Sequence, residues 1–175
     1  MEKPITIEKA GLGHAGVILG LAKKTFVETY AEHNDPQNME IYLRESFSEE
    51  VITSELSNEH ARVFIAYLDG EPVGFTKLRD DRQTKTLEGV RALEVQRIYI
   101  LKEYQGYHAG KSLMEKIKSV AREERYQTIW LQVWQQNNKA IRFYQRAGFV
   151  VYETTEFRLG NEIHQDFLMR YDLYL

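Results

Sequence analysis

The sequence predicts an α+β fold, one sheet covered by helices, and three observations carry that prediction. Apolar residues are spaced for helices up to about residue 60, then switch to alternation and short continuous runs. The elements fall in the order strand, helices, three strands, helix, strand, helix, two strands, with no repeat, linker or low-complexity stretch between them. The 175 residues are 43% apolar and 28% charged, near the globular average, with 11 Tyr, 8 Phe and 2 Trp to fill the core of one domain.

The first strand is expected from Pro4 to Lys9, where Ile5 and Ile7 alternate with polar neighbours. A helix follows from about His14 to Ala31, its buried stripe formed by Ile18, Leu21, Ala22, Thr25, Phe26 and Thr29. A second helix begins at about Pro36, a residue tolerated in a first turn, and aligns Met39, Tyr42, Leu43, Ser46 and Phe47. Ser48 is the expected N-cap of a short third helix, because Glu49 and Glu50 suit the positive end of its dipole. Asp69-Gly70, between Val63–Leu68 and Val73–Leu78, marks a hairpin, since glycine enters positive φ at little cost. The polar stretch from Arg79 to Val90 reads as a loop and Leu93 to Leu101 as the next strand. Leu113, Met114, Ile117, Val120 and Ala121 share one face of a helix from Gly110 to about Glu124. Ile129–Trp134 is almost continuously apolar, as a strand in the middle of a covered sheet should be. A helix from Asn138 to Ala147 stops at Gly148. Two last strands, about Phe149 to Glu156 and His164 to Tyr171, flank a turn at Gly160-Asn161.

Composition excludes several chemistries. Without cysteine there is no disulfide, thiolate zinc site or thiol nucleophile. The 5 histidines are scattered without ligand spacing, so no metal is expected. No apolar run is long enough to span a membrane, and Met-Glu-Lys-Pro lacks the pattern of a secretory signal, so the expectation is a cytoplasmic protein. A net charge of −3 argues against a nucleic-acid binder. The distribution is uneven, however. Glu28, Glu32, Asp35, Glu40, Glu45, Glu49, Glu50, Glu55 and Glu59 face a single base, Arg44, whereas Arg97 to Arg125 is predominantly basic. Such a split suits either two solvated sets of helix faces or a cationic ligand on one side and an anionic one on the other.

Two segments carry candidate chemistry. In the first, Glu94 to Lys111, a strand leads through a loop bracketed by Gly106 and Gly110 into a helix, which aims backbone N–H groups and the positive helix end at one spot. In the second, Asn137 precedes a helix as either a cap or a ligand contact, and Tyr144 lies on the same face as Ala140, Ile141 and Ala147.

Together these segments resemble the GCN5-related N-acetyltransferase (GNAT) superfamily over nearly the whole chain. Its pyrophosphate loop pattern, Q/R-x-x-G-x-G/A, is similar to Gln105-Gly-Tyr-His-Ala-Gly110, with His108 where the first patterned glycine belongs. Its second signature, N-x-x-A-x-x-x-Y-x-x-x-G-F, is matched by Asn137, Ala140, Tyr144, Gly148 and Phe149. The N-terminal half most resembles the PaiA-type bacterial spermine/spermidine N-acetyltransferases through Thr25–Tyr30, Asn34, Asn38–Leu43 and Glu55–Asn58. The resemblance implies a mixed, mostly antiparallel sheet of six to seven strands with helices on both faces. It also implies acetyl-CoA as co-substrate and a primary amine as acceptor, a polyamine such as spermine or spermidine. The pantetheine arm would lie along Ile98, Tyr99 and Ile100, with Asn137 also contacting the cofactor. The pyrophosphate would lie in the loop of Gln105, Gly106, Tyr107, His108, Ala109, Gly110 and Lys111. Tyr144 would be the general acid for the leaving thiolate. Glu94, Glu28 or a water chain would take the amine proton, with Glu94 preferred. Phe26, Glu28, Tyr30 and Trp134 would line the acceptor side. With no cysteine and no Ser-His-Asp arrangement, the amine is expected to attack the thioester directly. The other readings are acetylation of protein N-termini or small amino acids, and a non-catalytic acetyl-CoA-binding regulatory domain. A homodimer through the apolar ending Tyr171–Leu175 is also expected.

Overall fold

In the computed structural model residues 4–173 are described; Tyr174 and Leu175, part of the ending expected to make dimer contacts, lie outside them, as do the first three residues. The chain runs β1 (Ile5–Lys9), α1 (Ala15–Tyr30), α2 (Pro36–Ser46), α3 (Glu49–Ser57), β2 (Ala61–Leu68) and β3 (Glu71–Arg79). It continues with β4 (Ala92–Ile100), α4 (Ala109–Glu123), β5 (Thr128–Trp134), α5 (Asn138–Arg146), β6 (Val150–Leu159) and β7 (Glu162–Asp172). One seven-stranded sheet has the order β1-β2-β3-β4-β5-β7-β6. Its single parallel pair is β4 with β5, because only α4 makes a crossover between neighbouring strands.

Alternation along the strands assigns the two faces. Phe64, Leu93, Val95, Ile129 and Leu131 pack against Leu113, Met114 and Ile117 of α4 and Ile141 and Tyr144 of α5. Val63, Ile65 and Phe75 pack on the other face against Ile18 and Phe26 of α1, Met39 of α2 and Ile52 of α3. Each fully buried Leu, Ile or Phe here contributes about 1.5–3 kcal/mol.

The helix starts follow their side chains. Asp35 accepts from the N–H of Gln37 at 2.8 Å and Asn38 at 3.4 Å, with Pro36 in the first turn. Ser48 accepts from Val51 N at 3.2 Å to start α3. Two expectations need correction. The last two strands reach Leu159 and Glu162 and pair fully up to their turn. The turn is held from outside: Asn161 N donates to Asn38 Oδ1 of α2 at 3.1 Å, and a Cβ on Gly160 would come within 2.2 Å of that oxygen. The stretch between β3 and β4, read as a polar loop, contains a 3-10 turn at Lys85–Leu87. Its Leu87 is fully buried against Ala92, Trp130 and Leu168, an anchor too isolated in sequence to show a period.

Candidate active site

The site begins where β4 and β5 part. Their parallel pairing runs only from Ala92↔Thr128 to Val95↔Leu131. Beyond it β4 stays paired to β3 through Ile100↔Gly74, while β5 pairs onward with β7 to Trp134↔Asp166. A V-shaped gap therefore opens inside one sheet. Leu101 donates its N–H to Val73 O at 2.9 Å, so strand alternation turns the peptide groups of Ile98 and Ile100 toward the gap. Part of this edge is used internally, since Gln105 Nε2 donates to Ile100 O at 3.2 Å. Alternation turns the peptide groups of Tyr99 toward β3 instead, and its ring lies beside Phe75 on the α1–α3 side. Tyr99 thus lies with the aromatic residues of the α1–α3 side, and its peptide groups do not face the gap.

At the wide end of the gap, Gly106 has φ 97° and His108 φ 64°, so both positions of the Gln105–Gly110 loop adopt the left-handed conformation. His108 does so with a side chain, at a cost of roughly 1–2 kcal/mol. It precedes α4 without a side-chain cap, which leaves the first-turn amides of Ala109, Gly110 and Lys111 turned into the loop. At Gly110 α4 meets α5 closely enough that a Cβ would sit in ordinary van der Waals contact with the Phe143 ring, at 3.4 Å. Tyr107 is exposed and packs edge-on to Tyr104. A second cation joins Lys111 at this loop: Lys139 of α5 donates to Gln105 Oε1. Sequence reading missed it, because only the fold brings α5 beside the loop. Asn137 serves as the cap of α5, accepting from Ala140 N at 3.3 Å.

Tyr144 reaches the gap from α5. Its ring packs on Phe143 and Phe149, and among the described residues its hydroxyl makes no hydrogen bond. Burial raises its pKa far above the ordinary tyrosine value, with a smaller contribution from Tyr99. Burial likewise pushes Tyr99 up to about 12 and Tyr30 well above its usual value. Tyr30, Tyr99 and Tyr144 interact with one another electrostatically, which places three protonated hydroxyls from α1, β4 and α5 around the gap.

The α1–α3 side of the gap is aromatic. Tyr30 lies 4.6 Å from Phe26 and 5.9 Å from Trp134 between ring centroids, and Trp134 in turn meets His33 and His164, each at 5.5 Å. Phe26 is 2% exposed and stacks under Tyr42, so it backs this wall without facing the gap. The two acids expected there have other partners. Glu28 is exposed and accepts from Lys102 N at 2.9 Å, bracing the 3-10 turn Lys102–Tyr104 that leads into the loop. Glu94 lies on the closed side of the parting, 2% exposed, opposite Trp130. Arg79 Nε meets its Oε2 at 2.5 Å and Arg82 Nη1 its Oε1 at 2.9 Å, so both oxygens are held by guanidiniums. Both carboxylate oxygens are thus engaged on the closed side, away from the gap.

One acid does stand against this aromatic wall, and sequence reading did not find it. Asp166 of β7 is 5% exposed beside Trp134; its Oδ2 accepts from Gln132 Nε2 at 2.8 Å, while Oδ1 has no partner among the described residues. Burial raises its pKa, and this outweighs the opposing influence of Gln132 and His164. An acid at an inward strand position was the available signal, but it is legible only once the partner strand is known. Among the described residues no group of acids and histidines is arranged to hold a metal.

A model of the acetyltransferase (GNAT) family matches residues 25–149. An uncharacterised N-acetyltransferase of Lactobacillus delbrueckii subsp. lactis is 30% identical over 153 residues, covering 87% of this chain and 88% of that protein. The spermidine N(1)-acetyltransferase of Thermoplasma acidophilum is 24% identical over 154 residues, 86% of this chain and 91% of its own. Among solved structures, the PaiA N-acetyltransferase of Thermoplasma acidophilum in complex with coenzyme A aligns with a TM-score of 0.80 at 23% identity, over 97% of this chain and 99% of that one. The ribosomal-protein-S18-alanine N-acetyltransferase of Escherichia coli aligns at 0.73 and 16% identity, over 98% and 96%. At such identities the structural likenesses speak for the fold.

Proposed function

The chain belongs to the GNAT acetyltransferase family and uses acetyl-CoA, and from that premise we propose that its acceptor is a polyamine, acetylated on a primary amine by direct attack. The observation that carries this reading is the aromatic wall of Tyr30, Tyr42 and Trp134 at the gap, on the side built by the acidic segment. Aromatic faces suit the methylenes and ammonium groups of such an acceptor. Within the acidic segment Glu28, Asp35 and Glu55 are engaged structurally, whereas Glu32, Glu40, Glu45, Glu49 and Glu50 stay exposed and attract cations. The name of the Thermoplasma relative points to the same acceptor class.

The thioester supplies the acyl group. Ile98 and Ile100 offer peptide groups to the pantetheine arm in the manner of an added strand. The amides of Ala109 to Lys111, with the cations Lys111 and Lys139, hold the pyrophosphate. The amine gives up its proton to a water chain as it attacks, and Tyr144, which keeps its own proton at neutral pH, gives it to the departing thiolate. The chain works in this reading as one cytoplasmic N-acetyltransferase domain; no helix among the described residues is long and apolar enough to cross a membrane. The test is CoA release with spermine, spermidine, putrescine, monoamines and amino acids at several salt concentrations. Long polyamines should give the highest kcat/KM, with KM rising as salt shortens the Debye length. A preference for neutral or anionic amino acids, or for peptide N-termini, would overturn the polyamine reading.

A further inference from the structure

Three buried side-chain atoms among the described residues lack hydrogen-bond partners: Asp166 Oδ1, Gln96 Oε1 and Trp130 Nε1. The first two belong to strands on either side of the gap. The last paired step is Val95↔Leu131, so Gln96 and Gln132 are the first residues past it, and Gln132 donates to Asp166. Both orphaned atoms there are acceptors. Trp130 Nε1 belongs to the closed side, where the Arg82 guanidinium lies 5.3 Å from the ring.

A buried carboxylate with one oxygen unpartnered is costly unless a cation meets it. The basic groups nearby have other partners. Arg97 Nη1 is held by Glu55 Oε2 at 2.7 Å, and His164 Nε2 lies 2.8 Å from Asn34 Oδ1 and 3.4 Å from Glu162 Oε2. The remaining neighbours that feel the carboxylate are the phenols Tyr30, Tyr42 and Tyr99, each of which it disfavours from ionising. An anionic acceptor is thus fixed by Gln132 in an aromatic surround and lacks its counter-ion.

We infer that Asp166 binds a terminal ammonium group of the acceptor, Oδ1 taking the cation beside Tyr30 and Trp134. The inference rests on the polyamine reading and supplies its specificity determinant. Asp166 selects for positive charge, while the aromatic wall selects for the methylenes behind it. Gln132 is a positioning residue that holds the carboxylate in one orientation.

The test compares wild type with Asp166→Asn and Asp166→Glu, in initial-rate kinetics with spermidine and in calorimetric titration of spermidine into the CoA-loaded protein. Asp166→Asn should weaken spermidine about ten- to a hundredfold, the range of a charge-assisted hydrogen bond, as a rise in KM and Kd with kcat within about threefold. The KM for acetyl-CoA should not move, which also reports that the variant is folded. Asp166→Glu should recover part of the affinity. If wild type neither binds nor acetylates spermidine, the polyamine reading fails. If wild type binds it and Asp166→Asn binds it equally well, or loses kcat at unchanged KM, the assignment of Asp166 as cation site is overturned.

Discussion

Replacing Tyr144 by Phe removes one hydroxyl and little else. The ring keeps its packing on Phe143 and Phe149, and the hydroxyl has no hydrogen bond to lose among the described residues. The melting temperature should therefore stay within about 2 °C of wild type. The catalytic loss is different in kind. A thiolate leaving without a proton donor forfeits general acid assistance, so kcat should fall roughly ten- to a thousandfold, about 1.4–4 kcal/mol of transition-state stabilisation. Because burial raises the Tyr144 pKa far above its ordinary 10, the acid form persists across the assay range. A group with a raised pKa loses its proton only above that value, so the wild-type profile of kcat should show no falling limb below about pH 10 from this residue. The assay is thiol release at saturating acetyl-CoA and amine, with CoA affinity measured separately and expected unchanged. Should Tyr144→Phe turn over at the wild-type rate while chemistry limits kcat, the hydroxyl has no part in protonating the leaving group.

Two further outcomes follow from local geometry. Glu94→Gln removes the charge that Arg79 and Arg82 share; with Arg82 partly exposed the loss should be about 2 kcal/mol, a drop of about 4–8 °C in melting temperature, while kcat per folded molecule stays within about threefold. A stable but inactive Glu94→Gln would instead restore Glu94 as the base. His108→Gly relieves a left-handed side-chain residue at φ 64°, and the relief is offset by the added chain entropy of glycine and by the contacts the imidazole gives up, so stability should change by less than about 1 kcal/mol in a denaturant titration. A clear loss of stability would show that the His108 side chain holds the loop together.

The sequence by itself determined the order and kind of the elements, because hydrophobic period, caps and turn residues act over a few positions. The stripe Leu113, Met114, Ile117, Val120, Ala121 could only be one helix face, and Pro36, Ser48 and Gly148 mark helix ends wherever the rest of the chain goes. The two signatures around Gln105–Gly110 and Asn137–Phe149 placed the loop and Tyr144 for the same reason: each is continuous in sequence. Only the tertiary structure decided which acids border the gap. Glu94 and Asp166 are both buried strand carboxylates. One stands below the parting of β4 and β5, between two arginines brought from β3 and the loop after it. The other stands beside the gap with a single amide for company. The state of a carboxylate depends on the charges and solvent within a few ångströms of it. Those neighbours come from distant parts of the chain that no local pattern of residues can bring together.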